Sequence, residues 1–321
     1  MPVVIDFEVA LNRTDGEDRA LLIGNGFSAE YFSYANLLDK SGLVPGAAIR
    51  TLFDTLGTVD FEAVVRALEG AILVERSYGN DAHAAEIEAD AQKVREALVE
   101  AVNATHPAHR EDLGVKYAGS SAFLSNFQTV FSLNYDLLLY WVNLEKSALK
   151  DGFGLGKTNG AFRGPFREDA YCHIYKLHGG LHLFENPVGD IDKAIDCGSG
   201  VIATITNAIA KERRFPVYVA EGASMQKMRK INSVPYLRHC YEMLVANPAT
   251  MFVYGHSADE IDAHIYRAIF SSDIEHLYFG VYKPDDMKLN ALDGLLAKHQ
   301  RTAGSEAKYT FFDSESAKVW A

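Results

Sequence analysis

The chain has 321 residues, of which 48% are hydrophobic and 23% charged, and its formal net charge is −12. This composition is ordinary for a soluble globular protein, and the length suggests two domains or one domain with a large insertion. The negative charge and the lack of a long basic run argue against nucleic acid as a direct partner. No stretch approaches ~20 uninterrupted apolar residues and the start lacks a signal-peptide pattern, so we expect a cytoplasmic protein without a membrane partner.

Cysteine usage limits the metal and redox chemistry of the chain. The three cysteines, Cys172, Cys197 and Cys240, are far apart and include no Cys-x-x-Cys pair. A disulfide framework and a four-cysteine zinc site are therefore excluded. Several histidines could in principle form a metal site, but their spacing fits no zinc pattern, and we expect no bound zinc.

The first structured segment is predicted at residues 21–28, since the residues up to Arg19 resemble a loop. A short apolar run leads into two glycines one residue apart, which predicts a buried strand, a tight turn and then a helix. Glycine lets a ligand approach the main chain closely, and the start of a helix favours a phosphate. The alternative is a strand-to-helix turn without a ligand, because Ala29 replaces the third glycine of the dinucleotide-binding fingerprint. A helix is predicted from Tyr31 to Asp39.

Residues 47–116 form a block with helical periodicity. Apolar residues recur at three- and four-residue steps and charged residues fill the other positions, which predicts amphipathic helices. We interpret this block as a helical insertion or subdomain, and residues 1–46 and 117–321 as the main domain. The two apolar series are Phe61, Val64, Val65, Leu68 and Ile72, and Ile87, Ala91, Val94, Leu98 and Val102.

Strands and helices alternate through the rest of the chain. This order predicts an α/β fold, a Rossmann-like doubly wound and mostly parallel sheet with an α-helical insertion. The segment 151–164, rich in glycine, is predicted to be a loop or a mobile lid. Strands are predicted at 127–133, 173–177, 217–220, 251–254, 277–281 and 309–312, and helices at 137–149 and around Gln226, Tyr241, Ile265 and Leu292.

Polar residues follow four of these strands directly, in segments 24–28, 132–136, 176–180 and 255–259. In parallel sheets a ligand binds outside the carboxyl ends of the strands. Asn134 could bind a ribose hydroxyl or a water, or it could cap the following helix. His178 could move a proton, or it could be an internally satisfied histidine, with His182, His256 and His173 as alternatives.

The order of these segments resembles the sirtuin superfamily. Its members carry, in order, a Gly-Ala-Gly-Ile-Ser turn, a Thr-Gln-Asn-x-Asp stretch, a catalytic His-Gly pair and a Gly-Thr-Ser-like strand end. Segments 24–28, 132–136, 178–179 and 255–257 match them here. The zinc ribbon and the Pro-Asp-Phe-Arg segment of sirtuin deacylases are absent, which favours the divergent bacterial sirtuin-like proteins that hydrolyse NAD, often in anti-phage defence. Segments 219–222 and 262–265 also resemble that branch.

The resemblance implies a role for each matching residue. His178 would be the catalytic imidazole, and Asn134 and Asp136 would line the nicotinamide-ribose pocket. By its chemistry, Asn134 is also suited to orienting the attacking water. Asp262, which could face the same crevice, is a further candidate. The pyrophosphate and adenosine contacts would come from Gly24, Asn25, Gly26, Ser28, Gly255 and Ser257.

These observations predict an NAD hydrolase that cleaves the nicotinamide N-glycosidic bond, giving nicotinamide and ADP-ribose or a cyclic product. NAD would be the substrate, and a trigger would relieve a restraint on the enzyme. We expect a homo-oligomer or a partner protein from a defence system. The alternatives are a non-catalytic sensor of NAD or an ADP-ribose derivative, and a residual protein deacylase.

Overall fold

A seven-stranded parallel sheet forms the centre of the protein. The computed structural model describes residues 3–32, 37–107, 109–146, 149–153, 158–219 and 222–321. Its twelve strands, numbered in chain order, are β1 Val4–Asp6, β2 Arg19–Ile23, β3 Thr129–Ser132, β4 Thr158–Asn159, β5 Phe162–Arg163, β6 Ile174–Lys176, β7 Gly179–Glu185, β8 Ile191–Ala194, β9 Pro216–Tyr218, β10 Thr250–Tyr254, β11 His276–Val281 and β12 Lys308–Asp313.

The order of the strands in the central sheet is β1-β12-β11-β10-β2-β3-β6. Without the edge strand β1, this is the 3-2-1-4-5-6 order of doubly wound nucleotide-binding folds, with β2 as the first strand. The chain leaves β2 in one direction, towards β3 and β6, and later returns to its other side with β10. The topological switch point therefore lies between β2 and β10, where such folds place their ligands.

The described residues contain eleven α-helices, and a hydrophobic cluster lies on each face of the central sheet. Alternate strand residues face opposite sides, so Leu21 and Ile23 belong to one hydrophobic cluster and Ala20 and Leu22 to the other. Among the described residues, no helix is both long and apolar enough to cross a lipid bilayer. The helices are α1 Phe7–Arg13, α2 Ala48–Leu56, α3 Phe61–Ser77, α4 Asp81–Thr105, α5 Tyr117–Leu124, α6 Leu138–Lys146, α7 Val201–Ala210, α8 Ser224–Ser233, α9 Pro235–Val245, α10 Ala263–Ser271 and α11 Asp286–Ala303.

The α/β, Rossmann-like doubly wound architecture predicted from the sequence is confirmed. The predicted strands at 127–133, 173–177, 251–254, 277–281 and 309–312 correspond to β3, β6, β10, β11 and β12. Both faces of the sheet are buried, which is why these strands read as apolar runs.

Two predictions near the start of the chain are wrong. Residues before Arg19 are not a loop, because β1 pairs with β12 and α1 places Phe7 against the rings of Phe123, Phe252 and Phe312. The helix predicted from Tyr31 to Asp39 is not observed at either end: residues 31 and 32 are not helical and a short 3-10 helix begins at 37. Residues 33–36 lie outside the described part of the chain.

A second, antiparallel sheet was not predicted. Its order is β4-β5-β8-β7-β9, and β9 includes part of the strand predicted at 217–220, which therefore belongs to this sheet and not to the parallel one. Within the predicted loop 151–164, β4 and β5 form part of the sheet, whereas residues 154–157 lie outside the described residues. Two-residue strands carry too little alternation to be recognised.

The predicted helical block contains α2, α3 and α4, followed by a 3-10 segment, Arg110–Lys116. Its apolar residues, including Phe53, Phe61 and Val94, share one hydrophobic cluster with Leu21 and Phe252 of the central sheet. The division into a main domain and an insertion stays a prediction.

Candidate functional site

The turns after β2 and β10 meet at the switch point through their glycines. The N–H of Gly26 donates to the Gly255 carbonyl at 2.7 Å. A Cβ on Gly26 would lie 2.5 Å from Gly255 Cα, and a Cβ on Gly24 would lie 2.7 Å from the Gly255 oxygen. The close contact that requires glycine at positions 24 and 26 is therefore a contact between two turns of the protein.

The predicted helix N-terminus for a phosphate is not formed at this turn. Residues Asn25–Phe27 make a single 3-10 turn instead of beginning an α-helix. Because the helix dipole needs several aligned peptide units, a short turn offers little of the positive end that a phosphate would use. This part of the expectation was wrong.

A cavity of about 200 Å³ lies at the carboxyl edge of the sheet, next to the switch point. Residues that follow four different parallel strands contribute to its wall, together with residues from the start of α8 and the segment before α10. The lining residues are Asn25, Leu133, Tyr135, His178, Val219, Lys227, Gly255, His256, Ser257, Ile261 and Asp262.

Asp262 is the charged centre of the cavity wall. Its Oδ1 accepts a hydrogen bond from Lys227 Nζ at 2.8 Å, and its Oδ2 lies 3.3 Å from His256 Nε2. The side chains of both Lys227 and Asp262 are buried, so the two charges compensate each other in a place with little water. His256 is held in turn by the hydroxyl of Tyr266, 2.8 Å from Nδ1.

His178 contacts a second histidine. Its Nε2 lies 3.3 Å from Nε2 of His264, and the planes of the two rings are within 20° of parallel. The other ring nitrogen of His264, Nδ1, lies 3.0 Å from Ser224 Oγ, which also accepts the His264 backbone N–H at 3.1 Å. Asp262 Oδ1 is 3.9 Å from His178 Nε2, within range for an electrostatic contact.

The electrostatic surroundings favour the neutral forms of His178 and His264 and the ionised form of Asp262. Burial lowers the pKa of His178 to about 3, although the charge of Asp262 acts in the opposite direction. Burial likewise lowers the pKa of His264 to about 4. Burial tends to raise the pKa of Asp262, but the hydrogen bond from His256 and the positive charge of Lys227 hold this pKa below its usual range.

The same cluster has the composition of a metal site. One ligand atom each from His178, Asp262 and His264 lies within 4.8 Å of the others. However, the Lys227 ammonium is 2.8 Å from the carboxylate oxygen that would bind the ion, and its charge would repel a cation. We therefore treat the cluster as a hydrogen-bonded network.

Asn134 is buried beside the turn after β2, outside the cavity lining. Its Nδ2 donates to Ser28 Oγ at 3.1 Å, and its Oδ1 has no hydrogen-bond partner among the described residues. The helix cap suggested as an alternative for Asn134 is wrong, because Asp136 Oδ1 accepts the Leu138 N–H at the start of α6. The sequence alone could not show whether Asn134 or Asp136 caps this helix, since both residue types are good caps.

Of the ten residues predicted for the site, Asn25, His178, Gly255, Ser257 and Asp262 line the cavity. The other five are absent from its wall: the glycines lie in the packed turns, and the polar side chains are fully or almost fully buried close to their own strands. These are Gly24, Gly26, Ser28, Asn134 and Asp136.

Two of the histidines considered as alternatives to His178 lie outside the cavity wall, and three residues that contact His178, Asp262 or each other in the site were not among the predicted site residues. His182 stacks on Tyr140 in a separate small cavity, and Nδ1 of His173 accepts the Lys150 N–H. Lys227 and Ser224 were not predicted, because they come from α8, which has no glycine-rich strand end to mark it. His264 was visible beside Asp262 in the sequence, two residues further along the chain.

One protein family model, described as "Domain of unknown function (DUF4917)", matches residues 21–320. None of the curated proteins compared with the sequence matches it significantly. The resemblance to sirtuins stays a prediction. Because the family match covers nearly the whole chain, including the complete cavity wall, the chain belongs to the DUF4917 family.

Proposed function

We propose that the protein hydrolyses NAD at the bond between nicotinamide and ribose. The observation that supports this most directly is one cavity at the switch point of the sheet, with His178 in its wall beside Asn25, Gly255 and Ser257. These residues follow three separate strands of the parallel sheet, β2, β6 and β10. The carboxyl edge at a switch point is where this architecture binds nucleotides.

The hydrolysis needs few catalytic side chains from the protein. When the C–N bond breaks, its electron pair moves to the nicotinamide nitrogen, which becomes neutral, and positive charge develops on the ribose. A water then adds to the ribose carbon and loses one proton. Neutral His178 is in the form that accepts this proton, a contribution of about 10²–10⁴-fold in rate. Asp262 Oδ1, 3.9 Å from His178 Nε2, favours the protonated form of that imidazole electrostatically.

The size of the cavity supports a restrained enzyme. A volume of about 200 Å³ is below the ~300–1,000 Å³ of ordinary ligand sites. A whole dinucleotide therefore requires the cavity to widen, whereas the nicotinamide riboside part alone is closer to its present size. We propose that a trigger or a partner, as in the anti-phage effectors that the sequence resembles, provides this widening, and that the protein acts as a homo-oligomer or with such a partner.

The test is NAD turnover by the purified full chain and in cells that express it. His178→Ala is expected to lower kcat/KM for NAD by about 10²–10⁴-fold. The matched control is His83→Ala, which removes an exposed histidine of α4 far along the chain from the cavity residues. Turnover by His178→Ala at the rate of the natural protein would refute the proposal.

A sensor would give a different pattern. If calorimetry detects binding of NAD or ADP-ribose, and neither the protein nor cells expressing it release nicotinamide, the site binds without cleaving. The low pKa of His178, which makes it a weak base, is the observation that favours this second candidate. Binding that persists in His178→Ala without any nicotinamide release in the natural protein would support it.

A further inference from the structure

We propose that Ser224 and His264 form a proton relay that connects His178 in the cavity wall with the protein surface. The inference rests on the proposed hydrolysis and extends it, because it assigns a path for the proton that the reaction releases. His264 and Ser224 act through His178 in this scheme. They are positioning residues that do not touch the substrate.

The relay is a continuous line of three side chains. Ser224 Oγ is 3.0 Å from His264 Nδ1, and His264 Nε2 is 3.3 Å from His178 Nε2. Exposure rises along this line, from the buried His178 and His264 to the partly exposed Ser224 at the start of α8. A proton that moves along it therefore travels from the cavity towards solvent.

Two arrangements of hydrogens satisfy these contacts. In one, His178 Nε2–H donates to His264 Nε2, and His264 Nδ1–H donates to Ser224 Oγ. In the other, the Ser224 hydroxyl donates to His264 Nδ1, and His264 Nε2–H donates to His178 Nε2. Ser224 Oγ can accept the His264 backbone N–H in either case, because a hydroxyl oxygen has two lone pairs.

One turnover converts the first arrangement into the second and balances every proton, and proton exchange of Ser224 with solvent and of His178 with water in the emptied cavity restores the first arrangement before the next turnover. The attacking water gives its proton to His178 Nδ1, and the Nε2 proton of His178 passes to His264 Nε2. The Nδ1 proton of His264 passes to Ser224 Oγ, and the Ser224 hydroxyl proton leaves to solvent. The water oxygen bonds to the ribose carbon as the C–N electron pair leaves with nicotinamide.

Among the described residues, other groups around the two histidines do not offer this path. Asp262 is the nearest acceptor, but its two oxygens already contact Lys227 and His256, and Oδ1 is 3.9 Å from His178. The charged and titratable groups that influence His178 and His264 are Asp262, Lys227, His256 and Arg267. Since burial lowers the pKa of both relay histidines, neither would retain the proton at neutral pH.

The relay geometry can be measured without any turnover. In protein labelled with ¹⁵N-histidine, an N–H···N hydrogen bond between His178 and His264 should give a coupling across the bond that links the two Nε2 nuclei. The coupling should disappear in His264→Gln and persist in Tyr241→Phe. Tyr241→Phe is the matched control, because it removes only a hydrogen bond to the His264 backbone carbonyl. A folded natural protein without the coupling would overturn the relay.

Turnover then tests the transfer itself. Glutamine can bridge Ser224 and His178 but cannot pass a proton on, so His264→Gln should lower kcat for NAD at least about tenfold with little change in KM. Added imidazole buffer should restore part of this loss, and Ser224→Ala should respond in the same way. Full kcat in His264→Gln, or a loss that imidazole does not affect, would overturn the relay. Absence of turnover by the natural protein, both purified and in cells that express it and supply the trigger, with the coupling present, would instead refute the proposed hydrolysis.

Discussion

Replacing Gly26 by alanine tests whether the two switch-point turns are fixed by contact between their backbones. The new Cβ would lie 2.5 Å from Gly255 Cα and 3.2 Å from the carbonyl carbon and oxygen of the same residue. Backbone atoms cannot rotate away as a side chain could, so the turns must separate. Overpacking costs about 1–3 kcal/mol, and a weakened Gly26 to Gly255 hydrogen bond adds about 0.5–1.5 kcal/mol. We expect a loss of roughly 2–4 kcal/mol in the free energy of unfolding.

Urea unfolding measured by tryptophan fluorescence is a suitable assay. Trp320 packs against Phe27, the residue after Gly26, and its indole N–H donates to the Phe27 carbonyl at 2.6 Å, so it reports on this turn directly. The control is Gly294→Ala, at an exposed position in the middle of α11, where the added Cβ would have no described atom within 4 Å apart from its chain neighbours and the adjacent backbone of the same helix. That change should stabilise the protein by up to about 1 kcal/mol. Equal unfolding midpoints for Gly26→Ala and the natural protein would refute the packing explanation.

Three further predictions concern buried charge. His178 and His264 have pKa values lowered to about 3 and about 4, against about 6.5 in the unfolded chain. As pH falls below about 6.5, these two histidines take up protons in the unfolded chain but not in the native state, which stabilises the unfolded chain. The urea concentration at the unfolding midpoint should therefore be lower at pH 5 than at pH 7. Lys176 Nζ has no hydrogen-bond partner among the described residues, and burial lowers its pKa to about 8. Lys176→Met should therefore stabilise the protein at pH 7 by about 1–3 kcal/mol, and by less as pH rises from 8 towards 10. Asp262→Ala leaves Lys227 buried and unpaired, and should cost about 3–5 kcal/mol in urea unfolding.

Each of these predictions has a contradicting result. A urea midpoint that is the same at pH 5 and pH 7 would show that the native histidines take up protons as readily as unfolded ones. Lys193→Met, which breaks the ion pair of Lys193 with Asp151, should destabilise the protein; a similar loss in Lys176→Met would show that the Lys176 amine is satisfied. Asp259→Ala removes only an exposed cap on Ile261 N–H and should cost about 0.5–2 kcal/mol. Equal losses in Asp259→Ala and Asp262→Ala would contradict a special role for the buried pair.

The strands of the central sheet were predictable because each is a short apolar run that ends in turn residues. Parallel strands buried on both faces need no polar alternation, so segments such as 251–254 stand out from the polar chain around them. The same rule placed the polar residues at the carboxyl edge. It could not decide which of them face a cavity, because neighbouring residues at a strand end point in different directions: Tyr135 lines the cavity, whereas Asn134 is buried against Ser28.

The elements that were missed depend on contacts between distant segments. β1 forms at the start of the chain because it pairs with β12 near the end, and no local pattern records that pairing. The second sheet consists largely of strands of two to four residues, which are stable only when they pair with one another. Such short segments carry too few residues for a periodic signal.

By itself, the sequence determined the fold class and the edge of the sheet where polar residues gather, because apolar periodicity and glycine-containing turns are local properties of the chain. The tertiary structure alone decided that Gly26 packs on Gly255 and that Lys227 pairs with Asp262. It also decided that His264 stands between His178 and Ser224. These contacts join residues up to 229 positions apart (255 − 26), and only the packing of helices on the sheet brings them within a few ångströms.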